Sequence, residues 1–191
     1  MPRPDKQIFY DISLRDINTN KYLDVLDICC GKMDIYKKIN NLHKYTGIDF
    51  DEEMVNIGLS RYPNVKGITS RFEDFNFEKK FDLAICFETI GINKDFKNEE
   101  TLSFLTKIKD LIRSDGYLAI NFGDLALPQY KKDIIKHINE NYQILNTYYY
   151  GKFHKKYSYI IYKVLYYTIK LFPFINKSKK NEHIYFFLKK K

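Results

Sequence analysis

The sequence lacks several features that would place it in a specialised class of protein. It has no tryptophan and only three cysteines, Cys29, Cys30 and Cys86. An odd number of cysteines, two of them adjacent, argues against a disulfide framework and fits a reducing compartment such as the cytoplasm. No run reaches the roughly 18 uncharged apolar residues of a membrane-spanning helix, and residues 1–6 lack the apolar core of a secretory signal. We therefore expect a cytoplasmic protein whose thiols are free, pack as small apolar groups and bind no metal.

Negative charge is scarce in the last third of the chain. Residues 126–191 carry 14 Lys and Arg against 3 Asp and Glu, whereas residues 1–125 carry a slight acidic excess. Within the basic part, Lys156, Lys163, Lys170 and Lys177 recur every seven residues among tyrosines and aliphatic side chains. On a helix, this spacing forms a lysine stripe beside a wide apolar face. A helix on the surface of an anionic membrane, a helix packed on the core and a dimer contact all fit this pattern, and RNA binding ranks below them.

Apolar strands and amphipathic helices alternate along the rest of the chain. Hydrophobic residues make up 45% of the sequence, which is enough to form a core. The alternation predicts parallel strands with helices on both faces of one domain, residues 1–191. That domain is predicted to include an N-terminal helical segment over residues 1–20 and a basic, aromatic lid over residues 152–177, between strands six and seven. The predicted strands are 22–28, 45–50, 65–69, 81–87, 117–122, 142–150 and 183–188, and the predicted helices are 32–40, 51–61, 99–112 and 128–141, with a helix stop at residues 115–116.

Three segments at predicted strand ends carry residues that suit a nucleoside ligand, and one of them, residues 73–77 before the fourth strand, is a loop suited to covering an adenine ring. In an open parallel sheet, ligands bind beyond the carboxyl ends of the strands. A tight turn with Gly31 follows the first strand, where a small residue lets a ligand approach closely. Asp49 ends the second strand, where its carboxylate can accept hydrogen bonds from both hydroxyls of a ribose or cap the following helix. Because Gly31 stands alone where a dinucleotide fold carries G-x-G-x-x-G, a nicotinamide or flavin oxidoreductase is disfavoured.

The ordered set of strand ends resembles the class I S-adenosylmethionine-dependent methyltransferases over about residues 20–125. That family ends its first strand in LD-x-G-C-G-x-G and its second in GID or GVD, and then carries segments like EDLPF, FDLV and RPGG. Cys29 and Met33 replace two of the three family glycines, and we expect Met33 to narrow the loop against the methionine tail of the ligand. The counterparts in this sequence are Leu26-Asp27-Ile28-Cys29-Cys30-Gly31-Lys32-Met33, Gly47-Ile48-Asp49, Glu73-Asp74-Phe75-Asn76-Phe77, Phe81-Asp82-Leu83-Ala84 and Arg113-Ser114-Asp115-Gly116.

The resemblance implies a fold, a cofactor and a set of site residues. The fold is an α/β Rossmann-like sheet of seven mostly parallel strands in the order 3-2-1-4-5-7-6, with strand seven antiparallel. The reaction is methyl transfer from S-adenosylmethionine, which leaves S-adenosylhomocysteine, to a small-molecule, lipid-linked or glycan acceptor. The implied proton acceptors are Glu88, Asp124 and His154. The implied cofactor-binding residues are Asp27, Cys29, Cys30, Gly31, Tyr36, Asp49, Phe50, Arg71, Phe72, Glu73 and Phe87.

Several of these residues also fit a structural role. Asp27 equally fits a carboxylate that bonds its own loop, and His154 fits a surface histidine in a basic stretch. Arg71 occupies the position where many family members place an adenine-binding acid, so adenine contact falls to the backbone or ring of Phe72, or to Glu73. Two other functions stay open. The thinned glycine motif favours a methyltransferase-like domain that binds a ligand or partner without catalysis, and the segments rich in lysine and tyrosine fit a methyltransferase that binds RNA.

Overall fold

The computed structural model describes residues 10–11, 13–17, 21, 23–90, 98–123, 127–150 and 183–191. The predicted lid over residues 152–177 lies outside these residues, as do Asp124 and His154. Most of the predicted N-terminal helical segment also lies outside them. Its described part includes a 3-10 helix over Leu14–Ile17. Within the described residues, no helix is both long enough and apolar enough to cross a lipid bilayer.

Seven strands form a single sheet with the order β3-β2-β1-β4-β5-β7-β6. The first five strands run parallel to one another, and β7 runs antiparallel to both β5 and β6. The predicted strand order and the antiparallel last strand are therefore confirmed. The strands are β1 (Leu23–Ile28), β2 (Leu42–Asp49), β3 (Lys66–Thr69), β4 (Phe81–Ile90), β5 (Ile112–Gly123), β6 (Tyr142–Tyr150) and β7 (His183–Lys190).

Besides the helical residues Tyr10, Asp11 and Ser13, the described part of the chain contains three α-helices, which cover the two faces of the sheet. They are α1 (Glu52–Arg61), α2 (Asn98–Leu111) and α3 (Leu127–Asn141). Helices α2 and α3 place Phe104, Ile108, Ile134 and Ile138 in the core of one face. Helix α1 and the N-terminal residues contribute to the other face, with Val55, Tyr10 and Leu14. Because successive strand residues point to opposite faces, β1 supplies both cores, Leu26 to the first and Val25 to the second.

One predicted helix is wrong, and one predicted strand begins at the wrong residue. Residues 32–40 do not form the predicted helix but a series of turns with a 3-10 helix at Tyr36–Lys38, because Met33 takes a left-handed backbone conformation with φ of 57°. Helix α2 ends at Leu111, in agreement with the predicted end at residue 112. Strand β5, however, begins at Ile112 and not at residue 117, since Ile112 is fully buried and pairs with Phe81 of β4.

Candidate functional site at the carboxyl edge of the sheet

The turn after β1 keeps a glycine-like backbone although it contains only one glycine. Cys29, Gly31 and Met33 have φ angles of 58°, 48° and 57°, in the left-handed region that favours glycine. These are the three positions at which the resembling family carries glycine. A side chain added at Gly31 would meet no atom within 4 Å, so open space lies directly above this turn. The replacement of two glycines has therefore left the shape of the turn intact.

The side chain of Met33 points into the core and not toward the open space. It is completely buried and belongs to the core that contains Val55. A Cβ added at Gly58 of α1 would lie 2.9 Å from its sulfur, and one added at Gly47 of β2 would lie 3.2 Å from its terminal methyl. The expectation that Met33 narrows the ligand loop is therefore wrong, because two glycines distant in sequence make room for it inside the protein.

Asp49 joins the end of β2 to the turn after β1. Its Oδ2 accepts a hydrogen bond from the backbone N–H of Gly31 at 2.8 Å, and its Oδ1 accepts one from the N–H of Asp51 at 3.0 Å. The cap of α1 is Asp51, whose side chain accepts from the N–H of Met54 at 3.1 Å. The alternative interpretation of Asp49 as the helix cap is therefore wrong. Each carboxylate oxygen has two acceptor positions, so the two backbone bonds fix Asp49 without exhausting its capacity to accept.

Asp27 is a buried carboxylate near the carboxyl end of β1. It accepts a hydrogen bond from the hydroxyl of Tyr45 on β2, and not from its own loop. Burial raises the pKa of Asp27 to about 7; the Tyr45 hydrogen bond opposes this rise, and the charges of Asp49 and Asp34 add to it. Tyr36 packs edge-on against the ring of Tyr45 at 5.3 Å between centroids. Tyr36 thus packs against Tyr45, whose hydroxyl donates to Asp27.

The thiols lie together at the ends of β1 and β4. The Thr89 hydroxyl donates to the backbone carbonyl of Phe87 at 3.2 Å and lies close enough to Cys29 and Cys86 to oppose the rise of their pKa values, and Cys30 lies over Gly47. Burial raises the pKa of Cys29 to about 11 and also raises the pKa values of Cys30 and Cys86 well above their ordinary value, so all three are neutral thiols at pH 7. They form no disulfide. Across the described residues, no cluster of three or more His, Cys, Asp or Glu is arranged to hold a metal ion.

The loops after β2 and β3 place one aromatic ring in solvent and another in the core. Phe50, directly after Asp49, is 74% exposed. Phe72 is buried, and its ring contacts that of Phe104 with 4.9 Å between centroids. Only its backbone therefore remains for the predicted adenine contact. Arg71 is exposed and lies 3.9 Å from Asp74, while Glu73 is exposed and close enough to Cys29 and Cys86 to raise their pKa values further.

The end of β4 carries Phe87 and Glu88. The Phe87 ring is buried and contacts the rings of Tyr10 and Tyr185, at 6.1 and 6.0 Å between centroids. Its predicted cofactor contact is therefore restricted to the backbone. Glu88 has a φ of 59° and forms two hydrogen bonds with Asn121 of β5.

Sequence reasoning missed Asn121, Tyr45 and Tyr10. Asn121 left the clearest signal, because it is the one amide in the apolar run of residues 117–122, and a buried polar side chain requires a partner. Tyr45 and Tyr10 gave no comparable signal, since a tyrosine in an apolar segment is predicted to be an ordinary core residue.

The comparisons with known proteins agree with this arrangement. The methyltransferase domain family matches residues 19–182. A demethylmenaquinone methyltransferase of Staphylococcus aureus (strain MRSA252) is 28% identical over 107 residues, which are 52% of this chain and 42% of that protein. The chain thus matches less than half of that relative's length.

Solved structures share the fold at low sequence identity. The N-methyltransferase NodS from Bradyrhizobium japonicum WM9, in complex with S-adenosyl-L-homocysteine, superposes with a TM-score of 0.71 at 12% identity, over 98% of this chain and 88% of that one. The magnesium protoporphyrin IX methyltransferase of Synechocystis PCC 6803, with bound S-adenosylmethionine, gives 0.63 at 14% identity, over 98% and 78%. The family match spans most of the sequence and the strand order is the predicted one, so the chain belongs to the methyltransferase domain family, the class I S-adenosylmethionine-dependent methyltransferases.

Proposed function

We propose that the carboxyl edge of the sheet binds S-adenosylmethionine and that the protein transfers its methyl group to a small-molecule or lipid-linked acceptor. The observation that carries the proposal is the position of Asp49. Its carboxylate is fixed by the N–H groups of Gly31 and Asp51, beside the open space above Gly31. A carboxylate held in this way is oriented before a ribose arrives, and ordering it costs little on binding.

The residues around Asp49 fit the parts of the cofactor. Phe50 offers an exposed aromatic face next to the ribose-binding carboxylate, suitable for stacking on adenine. The left-handed turn at Cys29, Gly31 and Met33 keeps side chains away from the space above it. Asp27 lies below this space, where its carboxyl can accept a hydrogen bond from the cofactor directly or act through Tyr45.

When bound, S-adenosylmethionine supplies a methyl group already activated by its sulfonium. The protein therefore has to orient the acceptor and exclude water, and an oxygen acceptor also needs a group that takes its proton. Glu88 is the described residue proposed for this role, since it lies at the end of β4 next to Thr89, which is close enough to Cys29 in the turn after β1 to affect the pKa of that thiol. Asp124 and His154 remain proposed candidates from the sequence.

A transfer assay tests this proposal. Purified protein is incubated with methyl-tritiated S-adenosylmethionine and each of four acceptors: reduced demethylmenaquinone, a catechol, a lipid-linked sugar and total RNA. The similarity to a demethylmenaquinone methyltransferase makes the reduced quinone the first acceptor to try. We expect labelled product with a quinol, catechol or lipid-linked acceptor. Label in RNA alone would favour the RNA-binding alternative, and cofactor binding without transfer to any acceptor would favour the non-catalytic scaffold.

We also propose that residues 152–177 form the acceptor-side lid and contact an anionic membrane surface. The strands that flank this segment support its placement. His183 of β7 pairs with both Tyr150 of β6 and Gly123 of β5, so β6 ends and β7 begins at the carboxyl edge of the sheet. Its lysine repeat supports the choice of partner, since each lysine near an anionic surface contributes about 1 kcal/mol.

Liposome sedimentation at low and high salt tests this second proposal. We expect binding to anionic liposomes that salt weakens, and loss of binding when Lys156, Lys163, Lys170 and Lys177 are replaced by Gln. The matched control replaces four exposed lysines elsewhere, Lys131, Lys132, Lys136 and Lys191, and should bind like the wild type. A wild-type protein that ignores anionic liposomes at low salt would show that the segment packs on the core or on a second copy.

A further inference from the structure

We propose that Asn121 is a positioning residue, which holds the Glu88 carboxylate at the acceptor side of the cofactor site. This inference rests on the proposed role of Glu88 as the group that takes the acceptor's proton. It begins from an irregularity between β4 and β5. Cys86 pairs with Ile120 and Ile90 pairs with Phe122, so residues 87–89 of β4 all lie opposite Asn121. Such bulges re-aim side chains beside active sites.

Asn121 fills the bulge with both ends of its amide. Its Oδ1 accepts a hydrogen bond from the backbone N–H of Glu88 at 2.7 Å. Its Nδ2 donates to Oε1 of the Glu88 carboxylate at 2.9 Å. The first bond holds the backbone of Glu88 in its left-handed conformation, with φ of 59°, which is unfavourable for a residue with a side chain. The second bond fixes the direction of the carboxylate itself.

The residues packed around Asn121 fix its position, and with it the direction of the Glu88 carboxylate. Asn121 is only 1% exposed. In the sheet it pairs with Tyr185 of β7, whose hydroxyl donates to the backbone carbonyl of Ser13 at 2.7 Å. The Tyr185 ring also contacts that of Phe87, the residue before Glu88. If Asn121 only filled space in the core, an amide there would be unfavourable, because each polar atom of a buried side chain needs a hydrogen-bond partner. Here Nδ2 donates to a half-buried carboxylate at the edge of the sheet where the proposed acceptor arrives.

Exchanging the amide of Asn121 and the carboxylate of Glu88 separates the positioning of the carboxylate from the packing of the two side chains. Asn121→Asp keeps the acceptor for the Glu88 N–H but replaces the donor with a second carboxylate. Glu88→Gln keeps the shape and removes the charge. In the double variant Glu88→Gln/Asn121→Asp, the glutamine amide can donate to the new carboxylate, so both hydrogen bonds and the net charge are retained while the carboxylate has moved to position 121.

The experiment measures thermal unfolding, cofactor affinity and methyl transfer for these three variants. We expect Asn121→Asp to lower the melting temperature by several degrees and kcat by on the order of 100-fold, with little change in KM or in affinity for S-adenosylmethionine. Glu88→Gln should lower kcat by on the order of 100-fold or more. The double variant should regain most of the melting temperature but stay as slow as Glu88→Gln. Asn141→Asp is the matched control, because that amide donates to the carbonyl of His137 at the opposite edge of the sheet, and it should transfer methyl groups at the wild-type rate.

Two results would overturn the inference. Recovery of transfer in the double variant would show that Asn121 serves packing alone, and wild-type kcat in Asn121→Asp would show that the direction of the carboxylate is irrelevant. The acceptor for these assays is reduced demethylmenaquinone, or the member of the acceptor panel that the wild type methylates. If the wild type binds the cofactor but methylates none of them, the proposed function fails, and the unfolding data decide this inference separately: additive changes in melting temperature would overturn it.

Discussion

Each end of β1 carries an aspartate, and the two environments shift the pKa of these residues in opposite directions. At the amino end, Asp24 lies within 3.5 Å of the cationic groups of Lys79 and Arg113, and its other oxygen meets His43 at 3.0 Å. Burial alone would raise its pKa, but these partners prevail and lower it. At the carboxyl end, burial raises the pKa of Asp27 to about 7; one tyrosine hydroxyl opposes this rise, and the repulsion of two other carboxylates adds to it. The amino edge is thus arranged for stability, whereas the carboxyl edge retains unfavourable charge and left-handed backbone at the proposed binding site.

The opposite shifts give the two aspartates opposite effects on stability as the pH changes. The lowered pKa of Asp24 means that its contribution is present above the ordinary value of 3.8 and is lost as the pH falls through the folded-state pKa. The raised pKa of Asp27 means that the folded state keeps its proton more firmly, so stability declines as the pH rises from 3.8 to about 7 and is level above that.

The largest effect is expected from Asp27→Asn. The asparagine keeps an acceptor for the Tyr45 hydroxyl and removes the buried charge. At about 1.36 kcal/mol for each pH unit, a pKa raised from 3.8 to about 7 sets an upper limit of about 4 kcal/mol of stabilisation at pH 8. Near pH 3.5 the effect should fall to a few tenths of a kcal/mol, because the carboxyl is then neutral in the folded state and about two-thirds neutral in the unfolded state. Urea unfolding at the two pH values measures the difference, and an equal effect at both would contradict the account of Asp27.

The second effect concerns the buried side chain of Met33. Gly58→Ala would place a methyl group 2.9 Å from the Met33 sulfur and Cγ, and we expect it to destabilise the fold by about 1–3 kcal/mol. In a chain that also carries Met33→Ala, the substitution Gly58→Ala should cost less free energy of unfolding, since the added methyl then occupies vacated space. A double-mutant cycle by chemical denaturation measures the coupling. Independent, additive costs would show that Met33 does not occupy the position between Gly47 and Gly58.

The smallest effect is expected at the amino edge. Asp24→Asn should cost about 0.5–1 kcal/mol at pH 7, because Lys79 and Arg113 are both more than a third exposed and water screens their attraction. The cost should diminish in acid, where Asp24 loses its charge. Denaturant unfolding at pH 7 and pH 3 provides the test. A cost that is larger in acid would mean that the ion pairs do not stabilise this edge.

Much of the fold could be predicted from local sequence, because parallel strands buried on both faces give apolar runs that alternate with helices. The position of Asp49 at the edge of the sheet followed from the same pattern, whereas the strand order was implied by the resemblance to the methyltransferase family. Residues 32–40 escaped prediction because their conformation depends on Met33, whose side chain enters the core only through space left by Gly47 and Gly58. The sequence also leaves open where the rings of Phe72 and Phe87 lie, for a similar reason: an apolar residue at a strand end can face the ligand or the core, and only tertiary packing decides.

The most direct test of the account is a calorimetric titration of S-adenosylmethionine into the wild type, Asp49→Ala and Asp24→Asn. If the carboxyl edge is the binding site, Asp49→Ala should weaken binding by about 1–3 kcal/mol, because it removes a ribose acceptor and leaves the N–H groups of Gly31 and Asp51 without their partner. Asp24→Asn should bind as tightly as the wild type. An unchanged dissociation constant for Asp49→Ala, or an equal loss in both variants, would contradict the assignment of the site to the carboxyl edge.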